Sequence, residues 1–212
     1  MRPVTVTVGP LVAASANNIA LTQTPTSAVT LNGTLVTGGV AVLDTPRRIL
    51  ITTTGNESAK TFTIVGTDVN GQTQTELLTG VTSGGTGYSN VDFKTVTSIT
   101  MSAAAAAALT VGTNTIASSA WVRLDDYAPA PVAIQSVVTG TVSFNIETTM
   151  QDPNSFTNAV LPYQVVWNQA VSSVISTTST NLAVAPAFVR FTLTSGTGSV
   201  SNIVTQLSTV PY

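Results

Sequence analysis

Residues 3–8 read P-V-T-V-T-V, so Val4, Val6 and Val8 fall on one side of an extended chain and Thr5 and Thr7 on the other. That two-residue period returns along most of the sequence, and the chain is stocked for it. It holds 39 Thr and 29 Val in 212 residues. Both side chains branch at Cβ, which restricts χ1 and makes them costlier in a helix than on a pleated strand. The expected fold is all-β: two antiparallel β-sandwich or jelly-roll-like domains with very little helix.

Punctuation by Gly, Asn and Pro divides the pattern into strands. Residues 48–53 form a strand, 55–58 a turn and 60–65 a second strand, with Phe62 and Ile64 on one face. Residues 66–71 make a tight connection in which Asn70-Gly71 supplies a left-handed position cheaply. Residues 72–78 then pair back. A strand is also expected at 39–43, stopped by Asp44-Thr45-Pro46, and others at 19–21, 28–31, 93–101, 109–111 and 115–122. The Gly-rich stretch 81–89 reads as a loop. The six alanines, Ala103 to Ala108, are too short for a stable helix and read as a helical turn or tight loop.

Composition shifts at Asp125-Asp126-Tyr127-Ala128-Pro129-Ala130-Pro131, where two carboxylates and two prolines fall within seven residues. This stretch is expected to be a linker (125–131) between an N-terminal β-sandwich domain (1–124) and a C-terminal β domain (132–212). Net charge is +1 before it and −3 after it, and Arg190 is the one basic residue of the second part. That part is again β. Residues 132–138 and 141–146 are strands, the latter alternating Val142, Phe144 and Ile146 with Ser143 and Asn145. Residues 163–167 carry two large aromatics, and 181–186 make a connection. Strands at 188–194 and 199–207 close the chain as a hairpin, with Phe191 and Leu193 facing one way and Arg190, Thr192 and Thr194 the other.

The composition excludes several kinds of chemistry. With no Cys there is no thiolate zinc site, cysteine-bound cluster or disulfide, and with no His there is no Ser–His triad. Charged residues make up 8% of the chain, against roughly 25% in an ordinary soluble domain. Seven basic residues, of which only Arg47 and Arg48 adjoin, cannot make the stripe that a phosphate backbone requires, so no nucleic-acid partner is expected. The longest weakly polar run, 98–112, is too short for a membrane helix, and no membrane association is expected. The opening MRPVTVTVGP lacks the apolar core of a secretion signal, which suggests a protein made in the cytoplasm.

The polar candidates have plain explanations. Lys60 and Lys94 belong to no S-x-x-K motif and read as solvated lysines on exposed strand faces. Asp125 and Asp126 point to opposite sides of an extended chain. Asp68-x-Asn70 resembles part of a calcium loop but lacks its closing glutamate; Glu76 falls on the return strand, and Asp68 is expected to cap its own turn. Glu57 reads as a turn charge, and Glu147 and Asp152 flank residues 148–151. Gly84-Gly85-Thr86-Gly87 lacks the Lys-Ser/Thr of a phosphate loop. No catalytic residue, metal or cofactor is expected. Trp121, Tyr163, Trp167 and Tyr212 are the candidate interface anchors; Trp121, Tyr163 and Trp167 would alternatively serve a carbohydrate-stacking platform.

Residues 47–79, RRILITTTGNESAKTFTIVGTDVNGQTQTELLT, followed by GYSNVDFKTVTSIT at 87–100, resemble structural proteins of tailed bacteriophage virions. The closing FTLTSGTGSVSNIVTQ, 191–206, is similar to terminal hairpins of phage β proteins. The resemblance implies no catalytic residue. It implies a capsid-associated protein (decoration, neck or head-fibre base), made in the host cytoplasm and placed in many copies on the virion. Its partners would be the major capsid protein, other virion proteins or further copies of itself. A carbohydrate- or receptor-binding β module is the alternative from another class.

Overall fold

The computed structural model describes residues 3–125, 131–153, 155, 160–183 and 185–206. In chain order its strands are β1 (Val4–Val8), β2 (Ser15–Gln23), β3 (Val36–Thr37), β4 (Val40–Thr53), β5 (Thr61–Thr67), β6 (Thr73–Thr79), β7 (Thr86–Met101) and β8 (Leu109–Ser118). They continue as β9 (Val122–Arg123), β10 (Val132–Thr139), β11 (Val142–Thr149), β12 (Asn168–Val174), β13 (Thr178–Leu182), β14 (Phe188–Gly196) and β15 (Ser199–Gln206). The pairings are antiparallel, in two sheets of four and eleven strands. Among the described residues the one helical element is a 3-10 turn, Pro162–Gln164, so none is long and apolar enough to cross a membrane. The all-β expectation holds at this level.

The chain forms two compact units, one of residues 12–115 and one of residues 1–11 with 116–212. This division differs from the one expected at 125–131. The reason is pairing across the whole sequence: β1 runs beside β15, with Val4 opposite Val204 and Val8 opposite Val200. A local excess of Asp and Pro marks a change of composition and carries no information about that closure. Residues 126–130 of the expected linker lie outside the described residues.

In the unit of residues 12–115 the strands run β8-β4-β7-β5-β6, with β2 on β8 and β3 on β4. Phe62 and Ile64 of β5, Ile49 and Ile51 of β4, and Phe93, Val96 and Ile99 of β7 make its core. The β5–β6 hairpin is the one expected. Its turn is capped by Asp68, whose Oδ1 accepts the N–H groups of Asn70 and Gln72 at 2.8 Å each, and Gly71 takes φ +79°. The expected break at 44–46 is absent, and β4 continues through Pro46. Its register on β7 shifts between Val42 and Arg47, and such an irregularity accommodates a residue with no N–H to donate. The alanine stretch is a loop, and β7 begins inside the supposed Gly-rich loop, at Thr86.

In the other unit β1-β15-β10-β13 form the four-stranded sheet, and β12-β11-β14 pair alongside β9 and the last residues of β8. Val8, Val132, Ile134, Phe144, Ile146, Val189, Phe191, Leu193, Val200 and Val204 fill its core. Strands β12 and β13 are additions to the expected set; β13 overlaps the supposed connection at 181–186. Asn145 is buried where alternation placed it outward, and its Oδ1 accepts the Ser173 N–H at 2.9 Å, beside the irregular β11–β12 register.

Candidate functional site

Strand β14 has two faces of different chemistry. Val189, Phe191 and Leu193 point into the core, as the alternation requires. Phe188, Arg190 and Thr192 point the other way, and cross-strand neighbours join them there: Glu147 of β11 opposite Arg190, and Arg123 of β9 opposite Phe188. Trp121 lies two residues before Arg123, and Trp167 directly precedes β12. Here three rings meet. Trp121 and Trp167 pack edge to face with centroids 5.0 Å apart, and Trp121 meets Phe188 at 5.7 Å. These are favourable aromatic geometries, worth about 0.5–1.5 kcal/mol each beyond area burial.

Arginine locks the rings in place. The Arg190 guanidinium lies 4.4 Å from the centroid of Trp167, a stacking distance, while its Nε donates to Glu147 Oε2 at 2.7 Å. The Thr192 hydroxyl donates to the same carboxylate oxygen at 2.9 Å. Arg190 and Glu147 side chains are only 13% and 11% exposed, so the pair works in a partly dehydrated setting. Arg123 stands 5.9 Å from the Phe188 ring and bonds Asp152 Oδ2 at 2.9 Å. Next to Trp167 the chain is pinned by Gln151, whose Oε1 accepts the Val166 N–H at 2.6 Å. Met150, Leu161 and Val166 remain more than half exposed in this stretch.

Of the anchors expected from sequence, Trp121 and Trp167 come together. Tyr163 is partly exposed in the 3-10 turn, and the ring contacts among the described residues join Trp121, Trp167 and Phe188 without it. Tyr212 lies outside the described residues. Arg190, Glu147, Arg123 and Phe188 were not expected in the cluster. The period of β14 placed Arg190 and Thr192 on one side, but the β11–β14 register that brings in Glu147 was not readable locally. Glu147 and Asp152, considered as a pair, bind different arginines.

The lysines differ from expectation. Lys94 Nζ donates to the carbonyls of Leu43 and Asp44 at 2.7 and 3.0 Å, and Lys60 pairs with Glu57 at 2.6 Å. Glu57 is fully buried, not a turn charge at the surface. Burial alone would raise its pKa. Hydrogen bonds from Lys60 and from the Ala106 and Ala107 N–H groups, with the Lys60 charge, outweigh burial and hold it below the usual carboxylate range. Arg47 is fully buried too, with NH1 on the Val12 carbonyl at 2.9 Å and on Asp44 at 3.2 Å, and NH2 on the Asn114 carbonyl. Glu76 accepts the N–H groups of Asn90 and Val91 at 2.7 and 3.0 Å. The few charges are thus used largely inside the protein. Among the described residues no three acidic side chains gather where a metal ion would sit.

No protein-family model matches the chain, and no curated protein sequence matches it.

Proposed function

We propose that this chain is a non-enzymatic structural component of a tailed-phage particle, a decoration or cement protein that binds the capsid and stabilises it. One observation carries the contact role: a Trp121–Trp167 pair with Arg190, itself paired to Glu147, over the Trp167 ring, in the same unit as the exposed Met150, Leu161 and Val166, the last directly preceding Trp167. Trp and Arg are among the residue types that dominate interface energetics, Met is enriched at interfaces, and anchors already fixed in place lose little entropy on binding. The phage context rests on the resemblance of residues 47–79, 87–100 and 191–206 to virion β proteins. A head–tail connector or fibre-base position has the same support. We further read the unit of residues 1–11 and 116–212 as a β-sandwich, since the four-stranded sheet and the strands β11 and β14 share one core there, and extend that reading to the other unit from its alternating strands alone.

In this reading the protein favours the assembled shell by binding it and not its dissociated subunits, which stabilises the shell by linkage. The test is to add purified protein to undecorated capsids and measure bound copies and heat resistance. Saturable binding with a raised disassembly temperature is expected, and loss of both in Trp121→Ala with Trp167→Ala. Absence of binding by the intact protein would sink the proposal. The carbohydrate-platform reading has weaker support, since Arg190 covers one face of the Trp167 ring that a sugar would need.

A further inference from the structure

The six alanines of 103–108 pose a physical problem. A methyl group cannot hydrogen-bond, and Ala103, Ala104 and Ala106 are exposed, so these side chains give the loop little to hold it down. Its anchorage comes from backbone groups and from the turn at 53–61. Glu57 Oε1 accepts the Ala106 N–H at 2.7 Å, and Lys60 Nζ donates to the Ala104 carbonyl at 2.5 Å. The two side chains bond each other at 2.6 Å, closing a ring of contacts around the loop. The N–H and hydroxyl of Thr54 both reach the Ala108 carbonyl at 2.9 Å, and the Ala105 N–H reaches the Pro25 carbonyl at 2.8 Å. Gly55 permits the approach: a Cβ there would lie 2.8 Å from the Ala107 nitrogen and Cβ.

We propose that Glu57 and Lys60 form an acid-released clasp for the alanine loop, holding it while Glu57 is ionised and freeing it when the carboxylate takes up a proton. The carboxylate is the only group of the clasp that titrates in the acid range. A neutral carboxyl is a weaker acceptor for the Ala106 N–H and no longer balances the Lys60 ammonium, whose burial then has no counter-charge. The charges facing Glu57 are few. Lys60 is on its own turn. Neither the alanine loop nor the neighbouring 80–85 segment, whose Val81 carbonyl accepts the Glu57 N–H at 2.8 Å, brings a charged side chain. The depressed pKa sets the direction: the clasp survives mild acid and opens only below the usual carboxylate range. The core strands at the ends of the clasp, β5 after Lys60 and β7 and β8 on either side of the loop, are held by apolar packing that such a pH change leaves alone.

The test is residue-resolved amide exchange and NMR titration of the whole protein. In the wild type the Glu57 carboxyl carbon and the Ala106 amide are expected to titrate with one midpoint. Protection of Ala106 and Ala107 should fall about tenfold or more through that midpoint while Ile64 stays protected. In Glu57→Gln the alanine-loop protection should lose this pH dependence, and in Lys60→Met the loop should be less protected than in the wild type already at neutral pH, though still dependent on Glu57. Different midpoints for Glu57 and Ala106 in the wild type would overturn the clasp, without any variant. So would an alanine loop that loses protection only together with Ile64.

Discussion

Each unit buries a glutamate against a base, and the two pairs are built differently. In the unit of residues 12–115, Glu57 and Lys60 lie three residues apart on one turn, and both reach across to backbone groups of the alanine loop. In the other unit, Glu147 and Arg190 face each other across β11 and β14, and the base reaches sideways to a Trp ring. The choice of base follows from the geometry. A planar guanidinium can bond a carboxylate with its edge and stack on an aromatic with its face at once. An ammonium is a compact point of charge with three donors, suited to a carboxylate and a carbonyl in different directions. The first pair therefore fixes a loop that cannot fix itself, and the second fixes a set of aromatic rings.

Removing the bases is the harshest way to test that contrast. Arg190→Ala leaves Glu147 largely buried with only neutral donors and strips the cation from Trp167, and it should cost about 3–5 kcal/mol in urea unfolding. Lys60→Met should cost less, about 2 kcal/mol at neutral pH, because Glu57 keeps its backbone N–H donors. This second loss should also depend on pH, with a definite sign. Glu57 has a lowered pKa in the folded protein, so the stability it adds is complete above its unfolded pKa and is lost as pH falls through the folded value. The variant lacks the share of that contribution that Lys60 supplies. The gap between wild type and Lys60→Met must therefore narrow as pH falls, and a constant gap would show that Lys60 acts through packing alone.

The same two sites show what was legible in the chain. The β5–β6 hairpin was readable because every signal for it is local: Phe62 and Ile64 with period two, Asp68 at the turn, Gly71 at a left-handed position. The all-β class was readable for the same reason. What failed depended on contacts between distant residues. Glu57 and Lys60 sit in a turn of polar composition, GNESAK, and look solvated until the alanine loop, more than forty residues on, covers them. Arg190 faces Glu147 only through a register set along all of β11 and β14. Strand β1 looked like part of its neighbours in sequence, yet its partner is β15, almost at the far end of the chain. Pro46 reads as a stop, and only the shifted β4–β7 register shows why it is tolerated.

The gentlest perturbation asks whether Arg190 matters as a shape or merely as a charge. Arg190→Lys keeps the positive charge facing Glu147 but gives up the flat contact with Trp167. It should cost about 1 kcal/mol, well below the loss for Arg190→Ala. With the ring less braced, Trp167 should gain freedom, and its fluorescence anisotropy should fall in a Trp121→Phe background where it is the one remaining tryptophan. Under the proposed function, capsid binding in that background should weaken further on Arg190→Lys although Trp167 itself is unchanged, because an unbraced anchor must be ordered at the moment of binding. Stability and binding unchanged in Arg190→Lys would mean that the stack contributes nothing beyond charge, and the distinction between the two pairs would then reduce to their positions in the fold.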